Sequence, residues 1–324
     1  MEVFDKYKIK DIRPSKDLKL ITFNKFKKKD VLKFLHNQIK NQNIDNANYW
    51  GAELIISGNL VELFEKIIEI YVTEISMKNP KYIVYLWNQY ELFTDIVNEL
   101  DDILQSRDLL EIRNMFANII TTLATSNQLL LPKIEKINAL ELTNYSRIRV
   151  QFPNRELLAT FIKSNDPVEI FTPMNELLNH MKNPKNCSQD MVIYWLSWLI
   201  LWETEYVKKN NIGALSERPN ERIDKIHWRD FVWLLWEIIL MESNWKGDAT
   251  IKDIIDKNYR FYVYFYNRKN KFKKIYFLIY SMLLFIRPCD FTTPYTGNFE
   301  NYGKIILAGA NINSLYNYIQ KKES

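Results

Sequence analysis

The stretches 190–206, DMVIYWLSWLILWETEY, and 231–245, FVWLLWEIILMESNW, decide the fold. In the first, Trp195, Trp198 and Trp202 stand at i, i+3 and i+7, and Tyr194, Leu199, Leu201 and Tyr206 widen that face almost to the full circumference. In the second, Trp233, Trp236 and Leu240 keep the helical spacing while Phe231, Val232, Leu235 and Ile239 fill the other sides. A helix that is apolar nearly all round must be buried on most sides, so these two form the central pair of a larger helical body. They carry six of the nine tryptophans. An aromatic cage or base-stacking platform would also need such rings, but Trp is mostly well buried in folded chains, and the core reading is preferred.

The flanking segments repeat the helical pattern. Val31, Phe34, Leu35 and Ile39 mark an amphipathic helix with Asp30 at its N-cap. Asp45 is placed to cap a helix through Trp50, Leu54 and Ile55 to Ser57; Gly58 stands where a left-handed C′ residue belongs, and Asn59 can cap the next helix. Leu60, Leu63, Phe64, Ile67, Ile68, Tyr71, Val72 and Ile75 form that helix's apolar stripe, ended near Met77 by Asn79–Pro80. Further helices are expected after Pro80, after Ser106 to about Thr125, over 154–163 and 167–181, over 275–286 and near 305–320. The spacing predicts an all-α multi-helix bundle or irregular array of roughly a dozen helices with an aromatic-rich core. The divisions expected are an extended basic arm at 1–24, an N-terminal helical region at 25–145 and a Trp-rich region at 146–324, the last two open to being one continuous domain.

The bulk composition bounds the function. With 47% hydrophobic residues the chain is globular rather than disordered. Seven glycines in 324 residues are too few for Gly-rich phosphate loops or a doubly wound α/β sheet. No GxxxxGK[ST] or GxGxxG is present, which argues against a P-loop or Rossmann site. His36, His180 and His227 make no HExxH and no pairing with Cys187 or Cys289, so neither zinc nor another cofactor is expected. The two cysteines fit a reducing compartment. The N-terminus MEVFDKYKIKD lacks an apolar core of its own, and the longest apolar runs fall short of the roughly 20 residues that span a bilayer. A soluble, intracellular protein is expected, without a membrane partner.

Glu53, Asp230 and Glu237 are carboxylates in apolar neighbourhoods, where burial could raise a pKa for acid–base work. An ion pair, hydrogen bond or cap is the preferred reading for each, and no catalytic residue is assigned.

The most functional-looking surface features are two basic tracts. Lys19 to Lys40 holds seven lysines against Asp30, and Lys257 to Lys274 holds seven Lys/Arg and no acid, in a chain whose formal charge is only +5. Charge is therefore segregated, which favours an acidic or polyanionic partner. In FNKFKKK (23–29) and YRFYVYFYNRKNKFKK (259–274) cations alternate with aromatics, as phosphate contact with base stacking requires. The candidate residues are Lys25, Lys27, Lys28, Lys29, Arg268, Lys269, Lys271, Lys273 and Lys274. Nucleic acid, an acidic protein and plain solvation all remain open for them.

Two resemblances bear on the chain. Tyr49–Trp50, Glu53–Leu54, Ser57–Gly58, Leu63–Phe64 and Asn79–Pro80, continued by Tyr194–Trp195, Trp198, Arg218–Pro219, Asp230, Val232–Trp233, Trp236–Glu237, Arg287–Pro288 and the terminal 312–322, resemble a functionally uncharacterised family of giant nucleocytoplasmic DNA viruses of algae and protists. That resemblance implies a viral source, with location in host cytoplasm, viral factory or virion, and a helical architecture. The hairpin 49–80 also resembles the helical collar region that follows the ATPase module in AAA+ proteins related to clamp loaders; without a Walker motif it implies assembly rather than ATP hydrolysis. The expected function is a non-enzymatic scaffold or protein-partner-binding subunit, in replication, transcription or virion assembly. The alternative is a nucleic-acid-binding accessory factor using the two basic tracts.

Overall fold

The computed structural model describes residues 8–142, 149–154, 156–182 and 188–321, apart from the side chains of 245–246 and 268–270. Its regular structure is all-α, and the single β feature among the described residues is an isolated bridge between Ile21 and Lys27. No helix among the described residues is long and apolar enough to cross a membrane. The chain divides into two compact units, one made of 1–130 with 290–324 and one of 131–289.

The first unit contains α1 (Lys28–Lys40), α2 (Ile44–Ile56), α3 (Leu60–Ile70), α4 (Tyr82–Asn98), α5 (Leu110–Thr125) and the last helix of the chain, Phe299–Lys321. Asp30 lies in the first turn of α1, not at its cap, where its charge still meets the positive helix end. Asn43 rather than Asp45 caps α2, accepting from the Asn46 N–H at 3.2 Å. Gly58 takes the left-handed conformation expected of it, with φ +71°. α3 runs on into a π-helical turn, Tyr71–Ile75. There the Ser76 N–H reaches the Tyr71 carbonyl at 2.8 Å.

Residues 8–24 are not a loose arm. Ile9, Leu18 and Phe23 are buried. The Ile9 N–H donates to Asp108 at 2.8 Å, and Arg107 donates to the Asp11 carbonyl at 2.7 Å. Residues in this segment, too irregularly spaced to form a helix, are held by the approach to α5 and by the α2–α3 turn, where the Phe23 N–H donates to Ser57 and Asn59 donates to the Leu18 carbonyl.

The second unit contains α6 (Glu156–Ala159), α7 (Phe171–Lys182), α8 (Gln189–Asn210), α9 (Phe231–Lys246), α10 (Ala249–Tyr264) and α11 (Tyr276–Ile286). Trp195, Trp198, Trp202, Trp233 and Trp236 are all buried, so the tryptophan pair α8–α9 is core. Arg218 ties the connection between them. All five of its N–H groups are used, on Asp166, Glu237 and the carbonyls of Phe161 and Ser216.

The last helix, α12 (Phe299–Lys321), was expected with the Trp-rich region but packs in the first unit. Its buried residues Ile305, Ile312, Tyr316 and Ile319 face α5 and α2. Arg113 of α5 lies 4.2 Å over the Tyr316 ring and donates to Asn313 at 3.0 Å. The expected division at 145–146 lies outside the described residues, and the two units meet in the chain at 130–131.

Candidate functional site

The two basic tracts meet different fates. Around the first, the Thr22 N–H donates to the Phe26 carbonyl at 2.8 Å and the Ile21–Lys27 bridge closes a tight turn. Lys25 holds φ 66° at its tip, a left-handed conformation that glycine adopts at less cost. Lys25, Lys27 and Lys29 are exposed, and Lys28 is half-buried in an ion pair with Glu62.

The second tract turns inward. Lys271 and Lys274 are buried, Lys273 is exposed, and the side chains of Arg268 and Lys269 lie outside the described residues. The segment Arg268–Lys274 is a 3-10 helix, in which residues three apart eclipse. Lys271 and Lys274 therefore share one face, and that face meets the protein. Lys274 lies 5.2 Å over the Phe265 ring. As a continuous cationic surface the second tract is thus corrected: these two cations satisfy internal partners.

Lys271 enters a buried polar centre. Its ammonium bonds Glu203 and lies 3.1 Å from Asp230, and Asp230 accepts the Tyr266 hydroxyl. Glu203 also accepts the Phe231 N–H at 2.6 Å. Burial, partly opposed by Lys271 and reinforced by Asp230, pushes the Glu203 carboxyl up. Burial and then Asp230 push the Tyr266 phenol far above its ordinary value. Such perturbation is common at catalytic groups, yet Glu203, Asp230 and Lys271 are all buried. The centre joins α8, the start of α9 and the segment after α10 as an internal tie.

The other two carboxylates are also satisfied. Glu53 accepts the Asn24 N–H and side-chain amide, each at 2.8 Å, and Glu237 accepts from Arg218 at 2.7 Å. Among the described residues no group of three or more His, Cys, Asp or Glu could hold a metal ion.

A large open feature lies elsewhere, in the first unit. A groove of about 810 Å³ runs between the α1–α2 turn and α12, and a second lobe of about 480 Å³ continues it toward the end of α5 and the loop before α12. Gln42, Ile44 and Lys304 line both lobes. Nine carboxamides line the whole: Asn41, Gln42, Asn43, Asn48 and Asn311 in the first lobe, Asn79, Asn127, Asn298 and Asn301 in the second. Ile44, Leu307, Ile312 and Leu315 supply an apolar floor. Neither an aromatic ring nor a histidine is among the described lining residues.

Local structure builds this lining. α1 ends with the Gln42 N–H on Ile39 and the Asn43 N–H on Gln38, a Schellman closure that needs a left-handed residue. Gln42 takes it at φ 56° where glycine is usual. Its side chain donates to the Ser126 carbonyl at 3.3 Å and so spans the groove's base. Asn48 is only 7% exposed; its amide donates to Ile44 and Thr121, while its oxygen has no partner.

Neither a family model, a curated protein nor a solved structure matches the chain.

What the groove can do follows from its own chemistry. A carboxamide offers donors and an acceptor together, the complement of a peptide bond. Bases of single strands are held largely by stacking, and the described lining has no ring to stack on. None of these amides was expected as a site residue; Asn79 stood only as a helix stop and in the family resemblance. The run NQNIDNAN at 41–48, polar but nearly uncharged where α1 gives way to α2, was the available signal.

Proposed function

We propose that the protein is a non-enzymatic, partner-binding helical subunit that takes an extended peptide segment of another protein into the amide-lined groove. The carrying observation is a groove lined by nine carboxamides over an apolar floor. The neighbouring face of α12 supports it: Phe299 is 89% exposed, and Tyr302, Ile306 and Leu307 continue an apolar surface along the same helix. Contiguous exposed apolar residues mark interaction sites. With Lys78, Lys304 and Asp45 as the charges in the lining and Lys304 itself paired with Glu300 at 2.6 Å, the groove favours a segment of low net charge. The viral scaffold role implied by the family resemblance is part of the same proposal.

Panning the full-length protein against a phage-displayed random peptide library tests this. Enriched peptides are expected to bind at micromolar Kd, about −8 kcal/mol, and Asn48→Leu and Leu307→Glu should each weaken them at least tenfold. Peptides that bind a folded double variant as tightly as the unaltered protein would remove the groove from the reading.

A further inference from the structure

On the same unit but outside the groove, aromatic rings form a connected run at the surface. Trp50 meets Phe26 edge-on with ring centroids 5.4 Å apart, and Phe34 lies 4.9 Å from it. Tyr49 meets Trp50 at 4.9 Å and Tyr318 at 6.3 Å. Phe26 and Phe34 are each 38% exposed and Tyr318 is 53% exposed, so the run is open to solvent at both ends. Helix α2 supplies Tyr49 and Trp50, α1 supplies Phe34, α12 supplies Tyr318 and the 21–27 turn supplies Phe26.

The cations of the first tract stand beside it. Lys25 and Lys27 flank Phe26 in the turn, and Lys29 and Lys33 are exposed on α1. Asp30 is the exposed acid among them, and Glu62 is engaged by Lys28. The left-handed backbone at Lys25 keeps a lysine at a turn tip where glycine would be less strained. Strain retained at a surface position is a reason to look for function there.

We propose that this aromatic run with Lys25, Lys27, Lys29 and Lys33 is a binding surface for single-stranded nucleic acid. Half-exposed rings next to lysines are the two components that a single strand needs: π-faces for bases and charge for phosphates. A duplex keeps its bases stacked on one another and would use only the lysines. An acidic peptide would likewise need the charge and not the rings. The 2′-hydroxyl decides between RNA and DNA, and both are single strands of the required kind.

Fluorescence anisotropy of the full chain with labelled dT20 and U20, each over a salt series, tests the proposal. Micromolar or tighter binding at low salt is expected for at least one, with a slope of log affinity against log salt of about −3 for four lysine contacts. Lys25→Glu with Lys27→Glu should weaken binding at least tenfold and flatten the slope. Phe26→Ala and Tyr318→Ala should each weaken it about tenfold, within the range of one lost stacking partner, and leave the slope unchanged. Circular dichroism melts establish that the exposed-site variants fold. Asn48→Leu in the groove should leave this binding intact, which separates the two surfaces. Absence of binding at low salt, equal competition by poly-glutamate, or ring variants that bind like the unaltered protein would each overturn the proposal.

Discussion

The ammonium of Lys271 lies 3.1 Å from the Asp230 carboxylate, though 41 residues separate them in the chain and both are buried. A lysine drawn from a run of cations thus serves as counter-ion to Asp230 and Glu203. Breaking a buried pair from one side leaves an uncompensated charge and costs about 3–5 kcal/mol. Lys271→Ala should show that loss in urea denaturation followed by tryptophan fluorescence, whereas exposed Lys273→Ala should stay within about 0.5 kcal/mol. Seven of the nine tryptophans lie in 131–289, so the signal reports this unit.

Asp166 makes the second unit sensitive to acid. Burial alone would raise its carboxyl, but bonds from Arg218 and from the Lys163 and Ser216 N–H groups outweigh burial and hold it below the ordinary carboxylate value. A depressed folded pKa gives stability that is present above the unfolded value of about 3.9 and lost as pH falls through the folded one. Denaturation midpoints of Asp166→Asn should therefore be lower at neutral pH and vary less below about pH 4 than those of the unaltered protein. Glu203 acts in the opposite sense. Its raised carboxyl contributes stability at low pH that is lost as pH rises through the folded value, so Glu203→Gln should be penalised less at high pH than at low.

Gln42 carries a left-handed backbone for which a side chain costs roughly 1–2 kcal/mol. Gln42→Gly should relieve part of that and lose the bond to the Ser126 carbonyl, leaving the melting temperature unchanged or raised by a few degrees. Peptide binding in the groove should weaken in the same variant. A gain in stability with a loss of binding is the outcome that marks the position as functional.

Trp236 is buried, and its indole N–H has no hydrogen-bond partner. Trp236→Ala should cost about 3–5 kcal/mol through the cavity it leaves. Trp236→Phe removes the unmet donor along with part of the ring. Its loss should be under half that of the alanine variant, by the same fluorescence-monitored denaturation or by calorimetry.

The amino-acid sequence by itself determined most of the helices, the tryptophan core and the left-handed turn at Gly58. These follow from periodicity and from backbone preferences that act over a few residues. Tertiary structure decided the rest. It turned Lys271 and Lys274 inward, because a 3-10 turn set them on one face and the carboxylates that receive Lys271 come from Glu203 and Asp230, far away in the chain. It returned Phe299–Lys321 to the first unit, because Tyr316 and Ile312 are buried in a helix that packs on α5 and α2, far upstream in the chain. It gathered amides from 41–48, 79, 127 and 298–311 into one groove. An amide or a lysine has the same local preferences wherever it stands; what it binds depends on which distant groups packing brings within hydrogen-bond reach.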